Sequence, residues 1–187
     1  MTTSHATNTF DPFSSRACRD IRNELSESLL GAIHDQNMAP VQAVADTYRS
    51  MDLQPHIRSY MDDRMRRYRN ILSQIPPADP ADRDTLPVAA LLWDQGLFFE
   101  VHEWLEEKWH SSRGAERDLY QALIRAAGTY IHLEVNRLEA ARKMAAKAVP
   151  ALVRLKAIIP SGYHLDDLIA GLEALDPVAP KLGAARL

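Results

Sequence analysis

Apolar residues recur at steps of three and four along most of the chain, and the step of two that marks a strand never persists, so the periodicity predicts an all-α protein. From Arg16 the positions Cys18, Ile21, Leu25, Leu29 and Ile33 share one face of a helix whose end frays over 31–37. Pro40 opens a second helix with Val41, Val44, Tyr48 and Met51 on one stripe. A third runs from Pro55 through Ile57, Tyr60 or Met61, Met65, Tyr68, Leu72 and Ile75. Proline fits these starts because the first helical turn has N–H groups with no partner in the helix.

Residues 76–87 hold four prolines and interrupt the pattern. They either link two parts of the chain or form a long surface loop within one bundle. Beyond them a short helix over 88–95 stops at Gly96, and a second begins at once at Phe98. After a turn at 111–114, a long helix starts at Glu116 and carries Leu119, Leu123, Ala127 and Tyr130 inward. An alanine-rich helix follows over 137–157, which Pro150 is expected to kink or split. A turn at 160–162 leads to a last amphipathic helix with Leu165, Leu168, Ile169, Leu172 and Leu175. The expected organisation is a disordered lead over 1–14, an N-terminal helical extension over 15–75, the proline-rich link over 76–87, a helical core over 88–157, and a C-terminal helix and tail over 158–187. The architecture is an antiparallel helical bundle.

Composition narrows the function classes. The hydrophobic share of 46% over 187 residues is enough for a core, and the net charge of -3 gives no electrostatic case for nucleic acid. The local basic run of Arg64, Arg66, Arg67 and Arg69 follows Asp62 and Asp63 and reads as solvated surface. Cys18 is the one cysteine, so no intrachain disulfide forms, which fits a cytoplasmic location. No apolar run approaches the ~20 residues that cross a bilayer, so no membrane role is expected. The apolar stripes of the N-terminal helices need covering, either within the chain or by a homo-oligomer. No small-molecule ligand is specified.

The densest chemistry lies in Phe98-Phe99-Glu100-Val101-His102-Glu103-Trp104-Leu105-Glu106-Glu107-Lys108-Trp109. His102 and Glu106 stand one turn apart, and the face they share with Phe98, Leu105 and Trp109 is expected to point inward. Ionisable groups there need a partner or a metal. His102 and Glu106 replace the two histidines of the zincin H-E-x-x-H arrangement by a His and a Glu, so a zincin is excluded, although the pair can still offer two ligands. Gln121, Arg125, Gly128 and His132 form one strip of the next long helix, with Gly128 allowing close approach to the motif helix. A second set along the outer edge, Glu103, Glu106 and His110, reads as solvated face. His34, His56 and His164 have no partners at ligand spacing. The four aromatics Phe98, Phe99, Trp104 and Trp109 read as core.

These residues carry a family resemblance. The helix Phe99, Glu100, His102, Glu103, Glu106, Trp109 is followed by Glu116-Arg117-Asp118, then Gln121, Leu123, Ile124 and His132, then Asn136 and an alanine-rich helix. In that order they resemble the DUF309 family, small all-helical bacterial proteins of unknown function. The resemblance covers roughly residues 86–150 and departs from the family pattern at Val135-Asn136, where Gly-Asn is usual. It implies a helical fold and no activity. The family's second-helix histidine marks His132 as the third member of a polar cluster of His102, Glu106, Gln121 and His132. Two readings stand. In one, the protein is a non-catalytic helical module whose cluster is a buried hydrogen-bonded network, with Trp109 donating its indole N–H to a carboxylate and the helices mediating partner or self association. In the other, His102, Glu106 and His132 hold one divalent metal ion or share a proton in a small hydrolase, with Glu103 as the base.

Overall fold

A computed structural model describes residues 9–76 and 84–183 of the chain. They form α1 (Arg16–Asp35), α2 (Ala39–Arg49), α3 (Pro55–Gln74), α4 (Thr85–Asp94), α5 (Phe98–Ser111), α6 (Gly114–Leu133), α7 (Leu138–Leu155) and α8 (Leu165–Ala174), with a 3₁₀ turn at Lys156–Ile158. No strand occurs among the described residues, so the all-α expectation holds. The chain falls into two compact units, Met1–Leu72 and Ser73–Leu187. No helix of the described residues is long and apolar enough to cross a membrane.

In the first unit, the Ser15 side chain caps α1 by accepting from the Cys18 N–H at 3.3 Å. The helix does not fray at Gly31. Ala32 and Ile33 are fully buried and keep it wound to Gln36, whose left-handed φ of 53° ends it. α2 buries Val41 and Ala45 rather than the expected stripe, and Met51 lies beyond its end, 48% exposed. α3 buries Ile57, Met61, Met65, Tyr68 and Ile71. Tyr60 turns to the side and stacks on Phe10, with ring centroids 3.5 Å apart.

Two expectations are corrected in this unit. Residues 1–8 of the supposed disordered lead lie outside the described residues, but 9–14 hold a turn in which Asp11 Oδ1 accepts from the Phe13 N–H at 2.8 Å. The arginine run is not uniformly solvated. Arg66 and Arg67 pair with Asp63, and Arg69 donates to Gln42 Oε1 at 2.8 Å, but Arg64 is buried, its guanidinium 4.8 Å from the Tyr60 ring centre. Arg64 lies one helical position from Met65 and three from Met61, beside the buried face of α3, which the other three arginines are turned away from.

In the second unit, α4 packs on α5, α5 on α6, α6 on α7 and α7 on α8. Most of the proline-rich link, 77–83, lies outside the described residues, and its last three residues already belong to α4. Asp84 caps that helix by accepting from the Leu86 N–H, and Pro87 sits in the first turn, where no N–H is required. Every residue of α4 from Pro87 to Trp93 is buried, as expected of a helix that is apolar on all sides. Trp93 meets Phe98 and Tyr130 edge-on, with centroids 5.1 and 5.3 Å away, and Phe98 stacks on Tyr130 at 5.1 Å. Aromatic pairs in these geometries contribute ~0.5–1.5 kcal/mol beyond area burial.

Between α6 and α7, Asn136 takes a left-handed φ of 56° that asparagine tolerates, so the turn forms without glycine. α7 runs unbroken through Pro150. That proline denies a hydrogen bond to the Ala146 carbonyl, and both residues lie on the exposed face, so the carbonyl is not left unsatisfied in the core. The aperiodic tail packs on α4, with the Trp93 indole N–H donating to the Pro180 carbonyl at 2.9 Å.

α8 comes close to α6 through Gly171. A Cβ there would lie 2.9 Å from the Tyr130 hydroxyl and 3.2 Å from Pro180 Cδ. The Tyr130 hydroxyl is buried with no hydrogen-bond partner, and burial, then the nearby Asp176 carboxylate, push its pKa up to about 12. Gly171→Ala is therefore expected to destabilise the protein by ~1–3 kcal/mol through overpacking. Tyr130→Phe alone is expected to leave the melting temperature unchanged or higher, and to recover part of the Gly171→Ala loss in the double variant. Chemical denaturation of the four proteins checks both.

Candidate metal-binding face on α5

α5 buries Phe98, Val101, Trp104 and Leu105, and with them Glu100, which is 0% exposed. The centre of the inward face therefore lies on the Val101 side of the helix. His102 and Glu106 stand at its margin, half-exposed, with side-chain exposures of 31% and 45%. Glu103 is half-exposed as well. The expectation of an inward His102/Glu106 pair is thus corrected. Phe98 and Leu105 are common to both placements, but Trp104 and Val101 pull the buried arc away from position 102 and take Glu100 inside. Glu100 is the functional-type residue that sequence reasoning passed over. The signal was present in its position four residues before the fully buried Trp104.

The geometry at the margin is specific. His102 Nε2 lies 3.5 Å from Glu106 Oε2, beyond the usual range of an N–H···O bond. The His102 ring is parallel to that of Phe99 within 3°, with centroids 6.4 Å apart, and its Nδ1 is buried with no hydrogen-bond partner. One ligand atom each from His102, Glu103 and Glu106 lies within 4.8 Å of the other two. Ligand atoms bound at about 2.1 Å in a tetrahedron stand about 3.4 Å apart, close to the observed His102–Glu106 spacing.

His132 is not part of this group. It lies near the end of α6, half-exposed, where burial and then the charge of Arg137 hold its pKa below the ordinary 6.5. Gln121 is half-exposed on α6 and its side chain makes no hydrogen bond among the described residues, so the expected buried four-residue network does not form there. Gly128 does not face α5. A Cβ there would meet the Met144 side chain of α7 at 3.8 Å, because the α6 strip carrying Gly128 is turned toward α7. His110 is exposed and outside the group, in line with the solvated face expected of it.

Trp109 also differs from expectation. Its indole N–H has no hydrogen-bond partner; the Arg117 guanidinium instead lies 3.9 Å from the ring centre, and Arg117 Nη1 donates to the Trp109 carbonyl at 3.0 Å. This clamp joins the end of α5 to the start of α6, a partly exposed cation–π contact of ~0.5–1 kcal/mol. Nearby, the Trp104 indole donates to the Thr85 carbonyl at 3.1 Å, tying α5 to α4. α5 is thereby held at its middle and at its C-terminal end.

Compared with known proteins, residues 87–144 match the model of the DUF309 family, described as a domain of unknown function. The matched segment takes in α5 and α6, with most of α4 and the first part of α7, less than half of the chain, and it bears out the resemblance read from the sequence. No curated protein and no solved structure matches the chain.

Two stability predictions follow from the observed placements. Gly128→Ala is expected to raise stability by up to ~1 kcal/mol, since alanine favours the helix and the new methyl meets only a flexible methionine; a denaturation midpoint below the parent's would contradict it. For His132, the folded state binds the proton less readily than the unfolded chain. Stability contributed by the neutral ring is present above pH 6.5 and is lost as pH falls through the lowered folded-state value. The melting temperature of the parent should fall over that window, and His132→Gln should flatten the slope.

Proposed function

We propose that the segment matching DUF309 is a metal-binding helical module that holds a divalent transition-metal ion on the α5 face through His102, Glu103 and Glu106. The observation that carries this reading is the convergence of one imidazole and two carboxylates within 4.8 Å on a single helical turn. One nitrogen and two oxygens suit borderline ions such as Zn²⁺, Co²⁺ or Ni²⁺ better than Mg²⁺ or Ca²⁺, which take oxygen donors. The helix supplies the three ligands already positioned, and water completes the coordination from the open side. His102 is the primary anchor, because its ring is oriented by Phe99 and by its place at the edge of the core.

The half-exposed position also supports a second, catalytic reading. Three protein ligands and a water-filled position are the arrangement of hydrolytic zinc sites, in which the metal lowers the pKa of bound water. In that case His102, Glu103 and Glu106 are the three ligands and the metal-bound water is the nucleophile.

Calorimetric titration of chelator-free protein with Zn²⁺ tests the metal reading. The expected result is one ion per chain, with at least tenfold weaker binding in His102→Ala and in Glu106→Gln and helical content unchanged, since both side chains are half-exposed. Equal affinity in parent and His102→Ala would overturn it.

A further inference from the structure

The outward face of α5 carries more than its three donors. Phe98 and Trp104 are buried, whereas Phe99 is half-exposed. At ~100° per residue, Phe99 falls within about 60° of His102, Glu103 and Glu106 around the helix axis. The buried arc of Phe98, Val101, Trp104 and Leu105 lies on the other side of the helix. A large apolar ring therefore stands among the donors, one turn before His102 and Glu103.

Two geometric features tie this ring to the site. Side chains on a helix lean toward its N-terminus, so those of His102 and Glu103 reach back over the turn that carries Phe99. The rings of Phe99 and His102 are parallel within 3°, with centroids 6.4 Å apart. An ion held by an imidazole nitrogen lies close to the plane of that ring, and Phe99 offers a flat apolar face parallel to the same plane.

Charge narrows what the open position beside His102 would accept. Two carboxylates and a neutral imidazole cancel the charge of a divalent ion. The neighbouring Glu107 is acidic and is paired with Lys108 at 3.0 Å. The loaded site thus has no net positive charge to draw a dianion such as phosphate, and it suits a neutral or singly charged oxygen donor.

We infer, on the basis of the metal reading of the α5 face, that Phe99 is the ligand-selecting residue of this site. Its ligand is a small molecule with an aromatic ring beside a neutral or singly charged oxygen donor. The oxygen takes the position that the three side chains leave to water, and the aromatic ring packs on Phe99 as an offset stack.

The test compares benzohydroxamate with acetohydroxamate on the zinc-loaded full chain, with zinc occupancy checked by elemental analysis. The two probes present the same oxygen donors, and one of them has a ring. The ratio of their affinities is the readout, because it cancels differences between the proteins in how well the donor group itself is held. The preference for the aromatic probe should be at least fivefold larger in the parent than in Phe99→Ala. It should be intermediate in Phe99→Leu, which keeps apolar bulk without a flat ring. A purely structural role for Phe99 would change both affinities together and leave the ratio as it was. An equal ratio in the parent and Phe99→Ala, or no binding of either probe to the zinc-loaded parent, overturns the ligand assignment and leaves the metal reading standing. A parent that takes up no zinc overturns both. If Phe99→Ala loses its helices, Phe99→Leu decides, and its ratio must then lie at least twofold below the parent's.

Discussion

Burial of Phe98, Val101, Trp104 and Leu105 on one side of α5 is the constraint from which the rest of the candidate site follows. A 14-residue helix with four large apolar side chains cannot leave them in water, since each contributes ~1.5–3 kcal/mol when buried. Once that arc is fixed against α4 and α6, the helical repeat sends Glu100 inward and leaves His102, Glu103 and Glu106 together on the solvent side. The clamp of Arg117 on Trp109 and the Trp104–Thr85 bond then prevent rotation of the helix about its axis. A rotation of one residue's worth, about 100°, would place the histidine in the core and dissolve the three-donor group.

Much of the fold was legible because amphipathic periodicity is a consequence of burial itself. The stripes Cys18–Ile21–Leu25–Leu29–Ile33 and Leu165–Leu168–Leu172 are buried as their spacing requires. Errors occurred where two apolar faces compete. On α2 the small Ala45 takes the core position that larger Val44 and Tyr48 were expected to fill, because the depth of a site is set by the facing helix and not by side-chain size. On α3, where the spacing left Tyr60 and Met61 open, Met61 is the one buried. At the site, the one-turn pairing of His102 and Glu106 was legible from their spacing, whereas the joining of Glu103 to that pair and the degree of burial of all three were not. Phe98, Leu105 and Trp109 support an inward face at position 102; Val101 and Trp104 support one on the other side, and the latter pair is the more deeply buried. The role expected of His132 and Gln121 depended on which face α6 turns to α5, which one helix's pattern does not contain.

The second unit is organised from its other end by the aromatic group of Trp93, Phe98 and Tyr130. Trp93 connects the fully buried α4 to the tail through Pro180, Phe98 begins α5, and Tyr130 reaches α8 at Gly171. The helix that carries His102, Glu103 and Glu106 thus starts in the same cluster that holds the tail at Pro180. This arrangement gives the unit a buried floor in α4, an outward face with three donor residues, and a tail packed against its far end. The segment matching DUF309 includes the donor face and most of the buried helix beneath it, whereas the tail lies outside the match.

The central claim is that α5 presents His102, Glu103 and Glu106 as one ligand set. The most direct measurement is anomalous diffraction from crystals grown with Zn²⁺, collected on both sides of the zinc absorption edge. The account predicts a single strong peak within about 2.0–2.2 Å of His102 Nε2 and of carboxylate oxygens from Glu103 and Glu106. A peak located instead at His34, His56 or His164, or a structure in which Glu100 faces solvent and His102 lies in the core, would contradict it.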